Sequence, residues 1–534
     1  MEKRIIFSFL LCFLVLLLWQ KMFPEQPVVV APKATQTTEN KELTEETQGL
    51  FQKQEEEMTR PVYEEMVVLK NEKIEVGLIE KTGTIQRVLL QRNDVVLPVD
   101  AIADFKIGEE GEAIYKILKN DGKEIVFSSI QGDFLIQKTY RLSDDDYLVY
   151  LDVEVENRGM ERTSIDPLMK SMVVNTSLLE ETAENQREQN LLEYSINAGE
   201  KIIRKAVARK FSHKENKTEP IAAQWVGFRN RYYCAIFKPN FSVTGYRTQA
   251  LTEKRLALFL MGERRDLRSG EKAVFSNTIY FGPQNGKILS GYQMGLEKIH
   301  AYFRLGFFDA IAKIIEDLMV LMHKIFPNWG VSIILVSFLI YLVMYPMTMK
   351  SMVSMRKMQS LQPKIVELRE KHDKNPQKLN QEIMKLYAEN KVNPLGGCLP
   401  LLLQMPIFIC LYQVIWRSPV FNGAGFLWIQ DLSAPDRLVV FSSKYPVIGN
   451  EFNLLPVLIV ILMVFQQKMT TKNMVTTDPN QIAQQKMMLF VMPVMLFFFF
   501  YHIASGLSLY LMVFYLLSSF TQWKASRTTK AVNV

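Results

Sequence analysis

Apolar and polar positions are arranged along this chain in two different ways. Near the N-terminus a continuous apolar run over 5–19 follows Lys3 and Arg4, and extended to Phe23 it has the roughly 20 residues needed to span a bilayer. A cleaved signal peptide starts similarly, but no small-x-small cleavage site follows Trp19, so an uncleaved transmembrane signal anchor is expected over 1–23. From Tyr63 the runs become short and alternating, as in FLIQKTYRL, YLVYLDVEVEN and KAVFSNTIYF, with Thr82-Gly83 and Asn120-Asp121-Gly122 as turn signals. This period of two predicts an antiparallel β-sandwich over 61–285. After Pro283 the period turns helical: Ile299, Tyr302, Phe307, Ile311, Ile314, Ile315 and Leu318 predict an amphipathic interfacial helix within 286–328. Five more apolar runs follow, at 331–345, 399–416, 454–465, 487–501 and 507–520, and predict a five-helix core over 329–523. Several are short for a span, so polar flanks enter the membrane or the bilayer thins around them.

Averages conceal this division. With 534 residues, 48% hydrophobic, 22% charged, a net charge of +7 and a mean hydropathy of +0.01, the chain resembles an ordinary soluble protein. Local charge restores the picture. Residues 350–393 hold ten Lys/Arg against five Asp/Glu, 468–486 hold three lysines against Asp478, and the tail 524–534 carries Lys524, Arg527 and Lys530 unopposed. The positive-inside rule puts these segments and the N-terminus in the cytoplasm, which predicts six spans with residues 24 to about 325 exported. Residues 24–60, with eight acids and four bases, read as a disordered tether. Within the exported region, 61–200 has 28 acids against 15 bases and 201–300 has 7 against 19. Two complementary halves packing together is preferred to a basic docking surface.

Bond chemistry finds little support. Of four cysteines, Cys12, Cys398 and Cys410 lie in or beside apolar runs and Cys234 is alone in the exported region, so no intramolecular disulfide is expected. His213, His300, His323, His372 and His502 have no metal-ligand spacing, and Gly282 to Lys287 is too short for a phosphate loop. No enzyme, metal or cofactor is expected. Within 350–393, Met355, Met358, Leu361, Ile365 and Leu368 form one helical stripe and Leu379, Ile383, Leu386 and Tyr387 another. They predict a hairpin of two amphipathic helices with Pro363 kinking the first. Met352, Met355, Arg356, Lys357, Met358 and Leu361 are its candidate contact surface, with methionines adaptable enough for varied apolar partners. The basic excess suits anionic lipid or ribosomal RNA; no dedicated nucleic-acid binding is expected beyond that.

Polar residues recur inside the apolar runs. Ser337, Tyr341 and Tyr345 share one helix face, Gln404 and Gln413 lie in the next run, Gln466 and Gln467 end the one after, and Tyr510, Tyr515, Ser518 and Ser519 lie in the last. At membrane depth such groups face a hydrated cavity or one another.

SMVSMRKMQSLQPKI, LYAENKVNPLGGCLPLLLQMPIFICLY, WIQDLSAPD and ASGLSLY resemble the YidC/Oxa membrane-protein insertase family almost word for word. The exported region, including QWVGFRNRYYCAIF and YFGPQNGKIL, resembles the large periplasmic domain of its Gram-negative members. The resemblance implies a multi-pass α-helical protein of the inner membrane with an all-β, galactose-mutarotase-like super-sandwich outside. It also implies a groove open to cytoplasm and lipid, for which Ser337, Tyr341, Tyr345, Gln404, Gln413, Tyr510 and Tyr515 are the candidates. The implied activity is insertion and folding of nascent membrane proteins, with the ribosome, the Sec translocon and membrane lipids as partners. Aligned on Pro346, Tyr341 occupies the position of the family's groove arginine. The competing reading is a membrane-anchored periplasmic module that binds carbohydrate or a protein.

Overall fold

The computed structural model describes residues 66–530, apart from 92–93, 98, 108–112, 177–191, 200, 208–210, 212–214, 304, 373–374, 393–398, 446–448 and 472–486. The expected signal anchor and tether, the end of the tail, the NPLGGC run and most of the basic loop at 468–486 lie outside the described residues. The chain divides into two compact units between Ile299 and His300.

The first unit is β-rich. A nine-stranded antiparallel sheet runs, in spatial order, Lys201–Ala206, Glu193–Ala198, Trp225–Arg229, Tyr233–Pro239, Lys272–Pro283, Leu148–Asn157, Phe134–Leu142, Glu124–Gln131 and Lys116–Asn120. A six-stranded sheet is built around Val243–Thr252, Arg255–Gly262 and Pro167–Asn175, and a four-stranded one opens with Met66–Lys70 and Ile74–Ile79. Alternation does what it predicted: along Phe134–Leu142 every second residue from Phe134 to Tyr140 is buried. Phe127 and Phe275 from the large sheet, Met169 and Leu258 from the second and Val76 from the third share one hydrophobic core.

Topology also explains the charge split. Ion pairs join the two halves: Glu154–Lys272 at 2.7 Å and Glu193–Arg229 at 3.1 Å bridge paired strands, and Asp100–Arg255 at 3.0 Å reaches across the intervening strand Pro167–Asn175. The segment expected as one amphipathic helix over 286–328 is three pieces. Helix α1 (Gly286–Gly291) and a 3-10 turn (Leu296–Ile299) cover the outer face of the large sheet, packing Leu289, Leu296 and Ile299 on Trp225 and Ile236. Only α2 (Gly306–Ile325) is a long helix. The apolar residue Ile299 thus serves the sheet, which is why the periodicity overran the true helix start. Asn285 caps α1 and Gln284 bonds the Asn230 and Arg231 carbonyls, giving the Gly282–Lys287 motif a structural role.

The second unit is helical. After α2 come α3 (Trp329–Ser360), α4 (Gln362–Lys371), α5 (Pro376–Glu389), α6 (Leu399–Arg417), α7 (Leu454–Thr471), α8 (Met492–Tyr501, preceded by a π turn) and α9 (Ser505–Lys530). Among the described residues α3 alone is long and apolar enough to cross a membrane by that measure; α7 and α8 are shorter apolar helices. The hairpin differs from expectation. Met352, Met355, Arg356, Lys357 and Met358 lie on α3, which continues unbroken to Ser360. Pro363 does not kink a helix but starts α4, where its missing N–H costs nothing. Leu361, buried at the junction, separates the two axes. Helix α9 likewise carries the boundary expected at 523 on to Lys530.

Candidate functional site

The polar residues of the helical core meet on one face of α9. Tyr510, Phe514, Leu517, Ser518 and Thr521 recur at spacings of three, four and one, a single stripe. Each neighbouring helix sends a group to it. From α3 the Tyr341 hydroxyl donates to Thr521 Oγ1 at 2.7 Å and to the Leu517 carbonyl at 3.2 Å. From α6 Gln404 Nε2 donates to the Tyr510 hydroxyl, and from α7 Gln466 Nε2 donates to Ser518 Oγ at 2.8 Å. Phe514 lies between the two tyrosines, edge-on to Tyr341 and stacked with Tyr510. The seam is neutral: α3 has no charge before Lys350, α6 none before Arg417, α7 none before Lys468 and α9 none before Lys524.

Other candidates fall elsewhere. Ser337 is buried and turns its hydroxyl back on the Ile333 carbonyl of its own helix at 2.5 Å. Tyr345 packs near Tyr341 but is 37% exposed. Gln413 and Tyr515 are half-buried and take no part in the seam's hydrogen bonds. Two buried polar atoms, Gln404 Oε1 and Ser519 Oγ, have no protein partner among the described residues. Burying an oxygen without a partner costs on the order of 1–3 kcal/mol, so such atoms select for water or a polar guest.

At the opposite end of the core, the motifs WIQDLSAPD and ASGLSLY are brought together. Ser505 N–H donates to the Ala434 carbonyl at 2.7 Å, Gly506 N–H to the Leu432 carbonyl at 2.9 Å, and Ser505 Oγ to the Asp431 carbonyl at 3.0 Å. The loop thereby satisfies the first donors of α9. A Cβ at Gly506 would stand 2.9 Å from Ile333 Cδ1 and 3.0 Å from Ile415 and the Leu432 carbonyl, so a larger residue here would have to displace its neighbours. Asp436 caps α7 through Leu454 N and Leu455 N and accepts from the Trp428 indole at 3.2 Å.

One buried cluster was not anticipated. His300 Nε2 and Ser418 Oγ contact the Glu316 carboxylate at 3.3 and 3.2 Å, and Arg417 donates to the Tyr302 carbonyl at 3.0 Å. Burial pushes the Glu316 carboxyl up, but its contacts with His300 and Ser418 outweigh that and hold it below the ordinary value. The cluster ties α2 to the end of α6. Its only signal in the sequence is a carboxylate on the apolar face of α2.

Fold and seam together define a membrane protein with a helical core and a β-rich exported domain. Residues 321–532 match the model of the 60Kd inner membrane protein family, and residues 110–318 match that of the YidC periplasmic domain. The chain belongs to the YidC family of inner-membrane proteins. It is 34% identical over 247 residues to the membrane protein insertase YidC of Chlorobium luteolum, covering 45% of this chain and 42% of that one. It is 28% identical to the YidC of Chlorobium limicola over 86% of this chain and 84% of that one. Across the first four curated relatives, the matched region spans 42% to 62% of their length. A crystal structure of an active YidC insertase with its first transmembrane domain resolved covers 86% of this chain and 92% of that one, with 18% identity and a TM-score of 0.39.

Proposed function

We propose that this chain is a membrane-protein insertase and folding chaperone. It moves polar segments of nascent inner-membrane proteins through a hydrated groove and releases apolar segments sideways into lipid, alone or beside the Sec translocon. Six spans, cytoplasmic termini and ribosome contact through the methionine-rich end of α3 complete the reading. The observation that carries it is the neutral seam on α9 with Gln404 Oε1 and Ser519 Oγ lacking a protein partner among the described residues. Hydrocarbon charges several kcal/mol for each unpaired polar group, and a seam that holds such groups lowers the barrier for a polar tail. The apolar segment then enters lipid downhill, so the transfer requires no bond chemistry.

Tyr341 supplies a hydroxyl where the family resemblance places an arginine, so attraction of acidic tails by a fixed cation is not part of this mechanism. In a depletion–complementation assay, Tyr341→Phe should impair insertion more than Tyr341→Arg does; the reverse order overturns the uncharged groove. Photocrosslinking from Tyr345 to a stalled nascent membrane protein tests substrate contact directly.

A further inference from the structure

Between α6 and α7 the chain forms a β-hairpin of strands Val439–Tyr445 and Gly449–Phe452, paired Val439 to Phe452 and Val440 to Glu451. Its base is held firmly. Arg437 N–H donates to Asn453 Oδ1 at 2.9 Å and Arg437 Nε to Glu451 at 2.8 Å, while the Tyr501 hydroxyl at the end of α8 donates to the Glu451 carbonyl at 2.7 Å. Beyond this base the hairpin turns apolar groups outward: Leu438, Val439, Val440 and Tyr445 are 40%, 45%, 63% and 51% exposed. A short two-stranded hairpin with open edges gains nothing by showing such residues to water, and an unprotected apolar edge invites association.

The occupant is indicated by continuity. Helix α7 leaves the hairpin at Leu454 and carries the exposed apolar residues Ile461 and Phe465, and α8, bonded to the hairpin base, carries exposed Val494 and Phe498. These are the faces that a membrane-embedded core turns to lipid. Residues 438–445 contain no acid, one lysine and one tyrosine, a composition suited to the boundary between headgroups and acyl chains. We propose that the 439–452 hairpin is an interfacial foot that seats Leu438, Val440 and Tyr445 in the outer leaflet beside α7. The inference rests on the proposed span assignment of α7 and is independent of insertase activity.

The test uses the full chain in phospholipid nanodiscs, with an environment-sensitive fluorophore on Val440→Cys or, separately, on Ile461→Cys. The unsubstituted chain, labelled identically, gives the background. A seated hairpin shows blue-shifted emission from position 440 that is quenched by lipids brominated near the headgroup and less by lipids brominated near the chain end. Position 461 should show the opposite depth order. Water-like emission at 440 with a lipid-like signal at 461 overturns the foot alone; water-like emission at both overturns the span assignment. Blue-shifted emission at 440 that bromolipids do not quench, with energy transfer between two labelled copies, overturns it in favour of edge pairing between proteins.

Discussion

In the β domain a full positive charge is buried: Lys138 has no exposure, donates to the Thr82 and Gly83 carbonyls at 3.2 and 3.4 Å and lies 4.3 Å from the Tyr115 ring centre. The α9 seam of the helical core holds only amides and hydroxyls, and Tyr341, Gln404 and Gln466 each reach a partner on α9. The difference follows from what surrounds each region. A domain that folds in water can satisfy a buried amine with backbone carbonyls freed at a turn, and offset the remaining cost over a large core. A helix in hydrocarbon commits its carbonyls to its ladder and has only second lone pairs to offer, as the Leu517 carbonyl offers one to Tyr341, so polar groups come neutral and mostly in complementary pairs.

The sharpest break of this contrast is at its exception, the Glu316 cluster beside α2. Glu316→Ala leaves His300 without its carboxylate; removing one partner of a buried pair costs about 3–5 kcal/mol. Hydrogen exchange should show α2 losing protection while the seam helices keep theirs, and Glu316→Gln should restore most of it. Because the folded carboxyl is held below its ordinary 4.5, its contribution is present above that pH and fades as pH falls through the folded value.

Next in size is Lys138. Burial pulls its amine down to about 8 from the ordinary 10.5, with Asp104 opposing and Lys170 adding to the shift. Between those values the unfolded chain binds the proton and the folded domain does not, so stability should rise with pH across that window. Lys138→Met should remove the rise and increase the unfolding free energy at pH 7 by about 1–3 kcal/mol, since well-packed hydrophobes often outperform buried charge. A flat wild-type profile from pH 8 to 9.5 would contradict this.

The seam comes third. Gln404→Leu and Tyr510→Phe should each cost about 1–2 kcal/mol in nanodiscs, and the double variant less than their sum, because each single change orphans the other partner. Smallest of all, Lys123→Ala breaks an exposed 2.8 Å pair with Asp144 and should leave the melting point unmoved.

The β domain was more legible than the core because its signals are local. Phe134–Leu142 matches the alternating run FLIQKTYRL from end to end, and along it the pattern names the buried face, whereas the central strand Trp225–Arg229 is buried on both faces. Core elements are decided by tertiary contact. The repeat of Ser337, Tyr341 and Tyr345 was visible, but not that Ser337 bonds its own backbone or that Tyr341 reaches α9. The hairpin at 439–452 escaped notice because VVFSSKY reads equally well as the continuation of an apolar loop. The start of α2 was overrun since Ile299 fits a helical period while packing on a sheet.

Helix α3 has 32 residues and no break before Ser360. At 1.5 Å per residue that is about 48 Å, against roughly 30 Å of hydrocarbon. Along the bilayer normal about a third of it therefore stands outside the lipid, and Pro346, which removes one bond of the ladder, lies between Tyr341 and that end. A body docking at Met355 therefore meets Tyr341 and its hydrogen bond to Thr521 across a proline joint, where the helix bends most readily.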